Sequence, residues 1–375
     1  MKDQIGYYKQ VQPFQREVSD LDRFINCRSA LYKHLGIVPK FLNKQSILEF
    51  GPGFGENAIF PLLQRPNHYM LVDSNEVCLE KTRGRLMEFC SPETKLEFRL
   101  SSIEAFESAD FFDVVICESV IPREPKPEKL LAKVAKRVSA GGILIITCQD
   151  AVSTFAELLR RLIALLVVSP SDSLDTKLGV LIPLFDSHLK TIDGINRSSA
   201  DWILDNLLRP WEEVSFSISD AIDALEGEFD IHGTSPRFID DSRWYRTIRN
   251  SNSGFNEIGR TAYMANVHNL INHRDWTPAV PVHINKLLIK LCSKIFRLIH
   301  RFESERELRL VESVLDNLQQ VIDLAAGFSH DTELALRDYH NVLRKYLDVG
   351  ILDGFAEFSS LFGRGQQHVS FIRRN

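Results

Sequence analysis

The chain has no apolar run long enough to cross a membrane. Its most apolar stretch, Leu162 to Val168, is far shorter than the roughly 20 residues a spanning helix needs. The opening segment, MKDQIGYYKQVQPFQ, lacks the apolar centre and small-residue cleavage site of a secretory signal, so a cytoplasmic chain is expected. The six cysteines (Cys27, Cys78, Cys90, Cys117, Cys148, Cys292) form no C-x-x-C pair. Neither a disulfide framework nor a metal site is signalled, and small buried hydrophobes are expected. Positive charge is not in excess: 45 Lys and Arg face 50 Asp and Glu, a net charge of -5. That argues against a nucleic-acid partner and supplies no general attraction to anionic membranes. Repeats and low-complexity tracts are also missing. What remains is an ordinary globular composition, 375 residues with 44% hydrophobic and 25% charged. At about 150 residues per domain this predicts two units, or one domain with large insertions.

Between residues 46 and 148, short β-rich runs alternate with amphipathic stretches, the pattern of a parallel sheet with crossover helices. The strand candidates are SILEF (46–50), YMLVD (69–73), LEFRL (96–100), DVVICE (113–118) and ILIITC (143–148). The last two are almost continuously apolar, as central strands covered on both faces should be. Helices are predicted at 76–89 and 128–138, the second stopped by Ala140-Gly141-Gly142. Beyond 160 the apolar spacing is mostly helical: 160–168, 199–208, 218–225, 284–302, 305–324 and 332–347, with strands at 229–233 and near the end. In 305–324, Leu308, Val311, Leu315, Leu318 and Ile322 make one stripe, suited to core or to a homodimer contact through the C-terminal helices. Lys286, Lys290, Lys294 and Arg297 form a basic stripe that reads as the solvated face of a bundle helix.

The chemistry concentrates in ILEFGPGFGENAIF. An apolar strand ends in Glu49 and runs into Gly51, Gly53 and Gly55, a loop whose N–H groups a ligand can approach without Cβ collisions. Glu56 stands where the dinucleotide fingerprint needs its third glycine, which disfavours NAD. Glu49 suits an ammonium, the loop N–H groups a carboxylate, and Asp73, ending the second strand, the hydroxyls of a ribose. An amino-acid end and a ribose together describe S-adenosylmethionine (SAM).

On these residues the sequence resembles the class I SAM-dependent methyltransferases, over about residues 45–150. The resemblance implies an α/β fold with a Rossmann-like, mostly parallel sheet, an antiparallel last strand and helical insertions after strands five and six. It implies a SAM-binding set of Glu49, Gly51, Gly53, Gly55, Asp73, Ser74, Ser102, Ile103 and Glu118, with Ser102 standing where the family usually has Asp or Asn. FDIHGTSPRF resembles strand six and QHVSFIRR strand seven, which lies between five and six in the family. The expected organisation is a SAM-binding core with an N-terminal helical segment (1–164), a helical cap (165–228), strand six (229–239), a helical insertion (240–363) and strand seven (364–375).

Cap and insertion supply the acceptor-site candidates: Arg197, Asp201, Trp202, Glu212, Trp244, Tyr245 and Tyr263, with His188 as a general base because its ordinary pKa is near neutrality. Glu118 is the second candidate base. Ser198 or Ser199 as a helix cap and Trp202 as core is the plainer reading. The leading expectation is methyl transfer from SAM, with S-adenosylhomocysteine (SAH) as product, to O or N of a small acceptor such as a sugar, metabolite or natural-product intermediate. The alternatives are a nucleic-acid or protein methyltransferase docking through the helices, and an inactive SAM-fold scaffold. Glu118-Ser119-Val120-Ile121 differs from the Asn/Asp-Pro-Pro-aromatic site of enzymes that methylate base amino groups.

Overall fold

All five β-rich runs of the first half become strands in the computed structural model, which describes residues 20–195, 197–211, 215–248, 254–352 and 354–375. They are β1 (Ser46–Phe50), β2 (His68–Asp73), β3 (Lys95–Leu100), β4 (Phe112–Cys117) and β5 (Val138–Cys148), joined by β6 (Phe229–Ser235) and β7 (Gln367–Arg373). The seven-stranded sheet has the order β3-β2-β1-β4-β5-β7-β6. β1 to β5 are parallel, and β7 runs antiparallel to both β5 and β6. This is the expected class I methyltransferase sheet, with strand seven between five and six.

The described residues fall into two compact units, and the chain passes between them more than once. The sheet unit takes those between 15 and 149, between 214 and 263, and from 366 on; the helical unit takes those between 150 and 213 and between 264 and 365. These boundaries differ from the expected ones. Helix α5 (Phe155–Val167) goes with the helical unit rather than with the core, while α8 (Ile218–Leu225) and the start of α9 (Phe255–Asn266) go with the sheet. The reason is local packing. α8, started by a Ser217/Asp220 capping box, lies against β6 and α4 (Pro127–Ala135). Asn256 on α9 donates to the carbonyl of Phe229 and accepts from the N–H of Ile231, satisfying β6 backbone groups.

One face of the sheet carries Ile47, Tyr69, Val114, Ile116, Ile143 and Ile145, packed with Tyr32 and Leu35 from the end of helix α1 (Leu21–His34) and with Ile59, Phe60 and Leu62 of α2 (Ile59–Leu63). Ala140-Gly141-Gly142 does not stop a helix, as the sequence pattern suggests. Helix α4 ends at Ala135, and the three residues lie inside β5, where the register against β4 jumps from Phe112/Val138 to Val114/Ile143. A Cβ on Gly142 would lie 2.9 Å from the Ser139 carbonyl oxygen, so the irregularity requires glycine there.

In the helical unit, α10 (Val282–Glu305), α11 (Leu308–Ala325) and α12 (His330–Val349) are successive long helices, α11 packing against both neighbours. Val311, Leu315, Leu318 and Ile322 are buried within the chain itself and Leu308 is exposed, so the predicted stripe is core. Cys78, Cys117, Cys148 and Cys292 are buried as expected, but Cys27 is exposed and Cys90 half-buried. No described helix is long and apolar enough to cross a membrane.

Candidate active site

Parallel pairing brings the ends of β1, β2, β3 and β4 to one edge of the sheet, and with them most of the residues expected to hold the cofactor. Gly51, Gly53 and Gly55 all have positive φ. A Cβ on Gly51 would come within 2.6 Å of Val120, whereas one on Gly53 would meet nothing within 4 Å and would project into open space. The loop differs from expectation in one respect. Residues 53–58 form turns and a bend, and the helix that follows, α2, spans only Ile59–Leu63. The cradle is therefore built from left-handed loop backbone, not from a helix N-terminus.

Beside this loop Asp73 ends β2. Burial raises its pKa, against backbone N–H groups of Asn75, Gly53 and Ser74 that favour the carboxylate. Ser74 next to it is exposed. Past β3, the Ser102 hydroxyl accepts from the N–H of Ala105, shaping the turn in which Ser102 and half-buried Ile103 stand.

Glu49 is buried and accepts a hydrogen bond from the Tyr69 hydroxyl. Burial pushes its pKa up to about 7; the Tyr69 bond works against this shift, and the nearby Glu118 carboxylate adds to it. Glu118 itself is held by a bidentate ion pair, Arg28 Nη1 to Oε2 at 3.0 Å and Nη2 to Oε1 at 2.8 Å, with Asn57 Nδ2 on Oε2 at 3.1 Å. Burial opposes the charge on Arg28, yet the adjacent Glu118 leaves its pKa above the ordinary value. A carboxylate fixed in this way is an anchored anion, which corrects its expected role as a general base. Ser119 follows with a left-handed backbone (φ 63), its N–H on Thr147 Oγ1 at 2.7 Å and its hydroxyl on Gln366 Oε1 at 2.6 Å.

The first candidate base is also corrected. His188 lies in α6 (Leu174–Leu189), buried with Phe185, Phe355 and Phe358 around its ring and Arg160 Nε donating to Nδ1 at 3.3 Å. Burial, with Arg160 beside it, pushes its pKa down to about 3, so the ring is a neutral core acceptor and too weak a base for the role. Trp202 is core, edge-on to Phe362, and Asp201 lies in the first turn capped by Ser198. Arg197 donates to the Asp201 carbonyl and pairs with Asp205. Tyr263 is buried against Phe238, which makes it core in place of the expected acceptor contact. Trp244 and Tyr245 are exposed after β6, and Glu212 lies outside the described residues.

Sequence reading missed Arg28, Asn57, Tyr69, Gln366 and His368. Arg28 had a signal. It interrupts the apolar stripe Leu21, Ile25, Tyr32 at helical spacing, and a charge in such a stripe is buried against a partner.

Buried polar atoms at this edge fit an amino-acid ligand. Among the described residues Asn57 Oδ1 makes no hydrogen bond, and the Arg28 guanidinium, whose charge acts on Glu49, is engaged by Glu118. An ammonium beside Glu49 would supply the missing counter-charge.

Residues 42–169 match the family model described as a methyltransferase domain. No curated protein is matched. Among solved structures, the chain is similar to an S-adenosylmethionine dependent methyltransferase from Mesorhizobium loti (16% identity, 30% of this chain and 50% of that one, TM-score 0.27). It is similar also to PKMT2 from Rickettsia typhi in complex with AdoHcy (17% identity, 63% and 49% covered, TM-score 0.43). A third is the N-methyltransferase NodS from Bradyrhizobium japonicum WM9 with S-adenosyl-L-homocysteine (13% identity, 40% and 75% covered, TM-score 0.32). The chain thus spans half the length of the Mesorhizobium protein. Residues 42–169 thus match a methyltransferase domain, and the sheet that they begin is completed in the order β3-β2-β1-β4-β5-β7-β6.

Proposed function

We propose that this protein transfers the methyl group of SAM to an oxygen or nitrogen of a small-molecule acceptor such as a sugar, a metabolite or a natural-product intermediate. The observation that carries the reading is the convergence of a counter-ion-poor Glu49, the open face at Gly53 and Asp73 on one sheet edge. Glu49 would hold the ammonium of SAM, the backbone of Gly51 to Gly55 its carboxylate, Asp73 the ribose hydroxyls, and Ser102 with Ile103 the adenine edge. Bound there, SAM supplies an electrophilic methyl group and leaves as SAH. The protein's own contribution is orientation: Glu118, fixed by Arg28 and Asn57, and Ser119, fixed by Thr147 and Gln366, set a rigid lip at the end of β4 against which the acceptor can be aligned. A net charge of -5 favours a small acceptor over a nucleic-acid backbone.

Calorimetry with SAM and SAH tests the reading. Micromolar binding is expected, and Asp73→Ala should weaken it at least tenfold, since a ribose hydroxyl bonded to a charged group contributes about 1.5–3 kcal/mol. A wild-type protein that binds neither would remove the enzyme reading and leave the scaffold.

A further inference from the structure

The glycine loop is gripped by helix α3 (Glu76–Met87), which follows β2. Pro52 to Gly55 form a four-residue turn, closed by the Gly55 N–H on the Pro52 carbonyl at 2.9 Å. Of its two central residues only Gly53 has positive φ, the pattern of a type II′ turn with glycine first. The peptide between Gly53 and Phe54 takes no part in closing such a turn, and paired turn types differ in which way it faces. Here its direction is set by α3. The Thr82 hydroxyl donates to the Gly53 carbonyl at 2.8 Å, and one helical turn on, Arg85 Nη1 donates to the Phe54 carbonyl at 2.6 Å and pairs with Glu56. Lys81 Nζ lies 4.4 Å from the centre of the Phe54 ring. In a trans peptide C=O and N–H point in opposite directions, so a Gly53 carbonyl held toward α3 turns the Phe54 N–H away from it. The other donors of the loop are taken: the Gly51 N–H by the Val72 carbonyl, that of Gly53 by the Asp73 carboxylate, and that of Gly55 within the turn. Among the described residues the Phe54 N–H has no hydrogen-bond partner, which is rare for a backbone donor unless water or a ligand meets it. Gly55 serves α3 in turn, since a Cβ there would stand 2.9 Å from Thr82 Cγ2 and 3.2 Å from its Cα.

We propose that Thr82 and Arg85 are positioning residues for the cofactor: they fix the loop so that the Phe54 N–H donates to the carboxylate of the cofactor's amino-acid end. The proposal rests on the methyltransferase reading above and deepens it, giving to one backbone donor, aimed by two side chains, a contact assigned there to the loop as a whole. A donor already aimed costs no reordering when the ligand arrives, whereas a peptide able to face either way is ordered only at the expense of affinity. Hydrogen bonds in series also polarise one another, so a Gly53 carbonyl that accepts from Thr82 makes the N–H of the same peptide a better donor. A bond from such a donor to a carboxylate is of the stronger, charge-assisted kind. Glu56 has its place in this arrangement. At the position where a dinucleotide fingerprint has its third glycine, it supplies the carboxylate that anchors Arg85 under the loop.

The test separates the two ends of the ligand. Calorimetry compares SAH with methylthioadenosine, which keeps the adenine and ribose and lacks the amino acid. Thr82→Val removes the hydroxyl at nearly constant shape, and SAH should bind about tenfold more weakly while methylthioadenosine stays within about twofold of its wild-type affinity. Arg85→Met should act in the same direction. Thr82→Ser returns the hydroxyl and should bring SAH back to within about threefold of the wild type. A wild type without SAH affinity removes the methyltransferase reading and this proposal with it. If the wild type binds SAH, equal losses for the two ligands make the role structural and overturn the proposal alone, as do unchanged SAH affinity in both variants or a Thr82→Ser protein no better than Thr82→Val. The second measurement needs no altered protein to fold around α3. Phenylalanine-labelled wild type is titrated by NMR, with Phe54→Leu assigning the amide, which should shift on addition of SAH and stay in place with methylthioadenosine. Where a variant does not fold, or methylthioadenosine is too weak for calorimetry, this amide decides: a Phe54 signal that SAH leaves unmoved overturns the proposal.

Discussion

Glu49 occupies a position that suits a ligand better than it suits the fold. Its carboxyl, buried beside a second carboxylate, has its pKa pushed up to about 7 from the ordinary 4.5. The folded state therefore holds a proton on it that the unfolded state releases between about pH 4.5 and 7, and stability falls with rising pH across that window. Glu49→Gln, which can still accept from Tyr69, should raise the melting temperature at pH 8 and leave it unchanged near pH 4. The same carboxylate gives the cofactor site a pH dependence. A ligand ammonium prefers the ionised form, so SAH affinity should rise up to about pH 7 and level off above it, and Glu49→Gln should flatten that profile while weakening binding; a flat wild-type profile would place the ammonium elsewhere. Arg28 behaves in the opposite way, as a residue that the fold needs. Arg28→Met strands Glu118 as a buried unpaired charge, at a cost of about 3–5 kcal/mol in denaturant unfolding, and Glu118→Gln added to it should restore most of that. The sequence exposed Glu49 and Asp73 because each ends an apolar strand at a glycine loop or turn. It hid His368, because a histidine in an alternating strand acquires a neighbour such as Glu118 only through pairing with a strand more than 200 residues earlier.

Elements were legible where one local signal dominated. The apolar runs of β1, β2 and β4 have nothing to do but enter a sheet, and their spacing by helical stretches dictates parallel crossovers. Ala140-Gly141-Gly142 misled because a glycine pair is equally the stop of a helix and the bend of a strand, and only the close approach to Ser139 decides between them. The glycine loop was read correctly in kind, but its following helix was overestimated, since the chain turns through the left-handed Gly51, Gly53 and Gly55 and becomes helical only at Ile59. That distinction yields a prediction for the loop. Gly53→Ala meets no protein atom and should cost only the left-handed conformation, about 1–2 kcal/mol, while reducing SAH affinity by tenfold or more because its methyl enters the ligand's space. Gly51→Ala collides with Val120 in addition and should be the more destabilising of the two in thermal unfolding. Equal losses of stability with unaltered SAH binding would show that the open face at Gly53 is not where the ligand lies.

At the scale of the molecule, the sheet is completed by a strand that arrives last. β6 ends at Ser235 and its partner β7 begins at Gln367, with α10, α11 and α12 in between. β7 pairs with β5 on one side and β6 on the other, and Val369, Ser370 and Phe371 are fully buried in the joint. Until β7 inserts, the outer edge of β5 is open and β6 has no strand to pair with, although β5 is already bonded to β4. Contacts of such sequence separation carry a large loop-closure cost and are the slow part of folding. Pulsed hydrogen exchange during refolding should therefore show amides of β1, β2 and β4 protected in an earlier phase, with β6 and β7 protected together in a later one. Phe371→Ala should cost about 3–5 kcal/mol and slow that later phase if β7 docks in its transition state. The expected order also bears on function, because His368, Gln366 and the hydrogen bond that holds Ser119 reach the sheet edge only with β7. A folding intermediate that holds the glycine loop and Asp73 but lacks β7 should bind SAH before it can transfer a methyl group. Stopped-flow refolding followed by SAH binding and by activity would resolve the two events, and their coincidence would mean that the sheet closes as one unit.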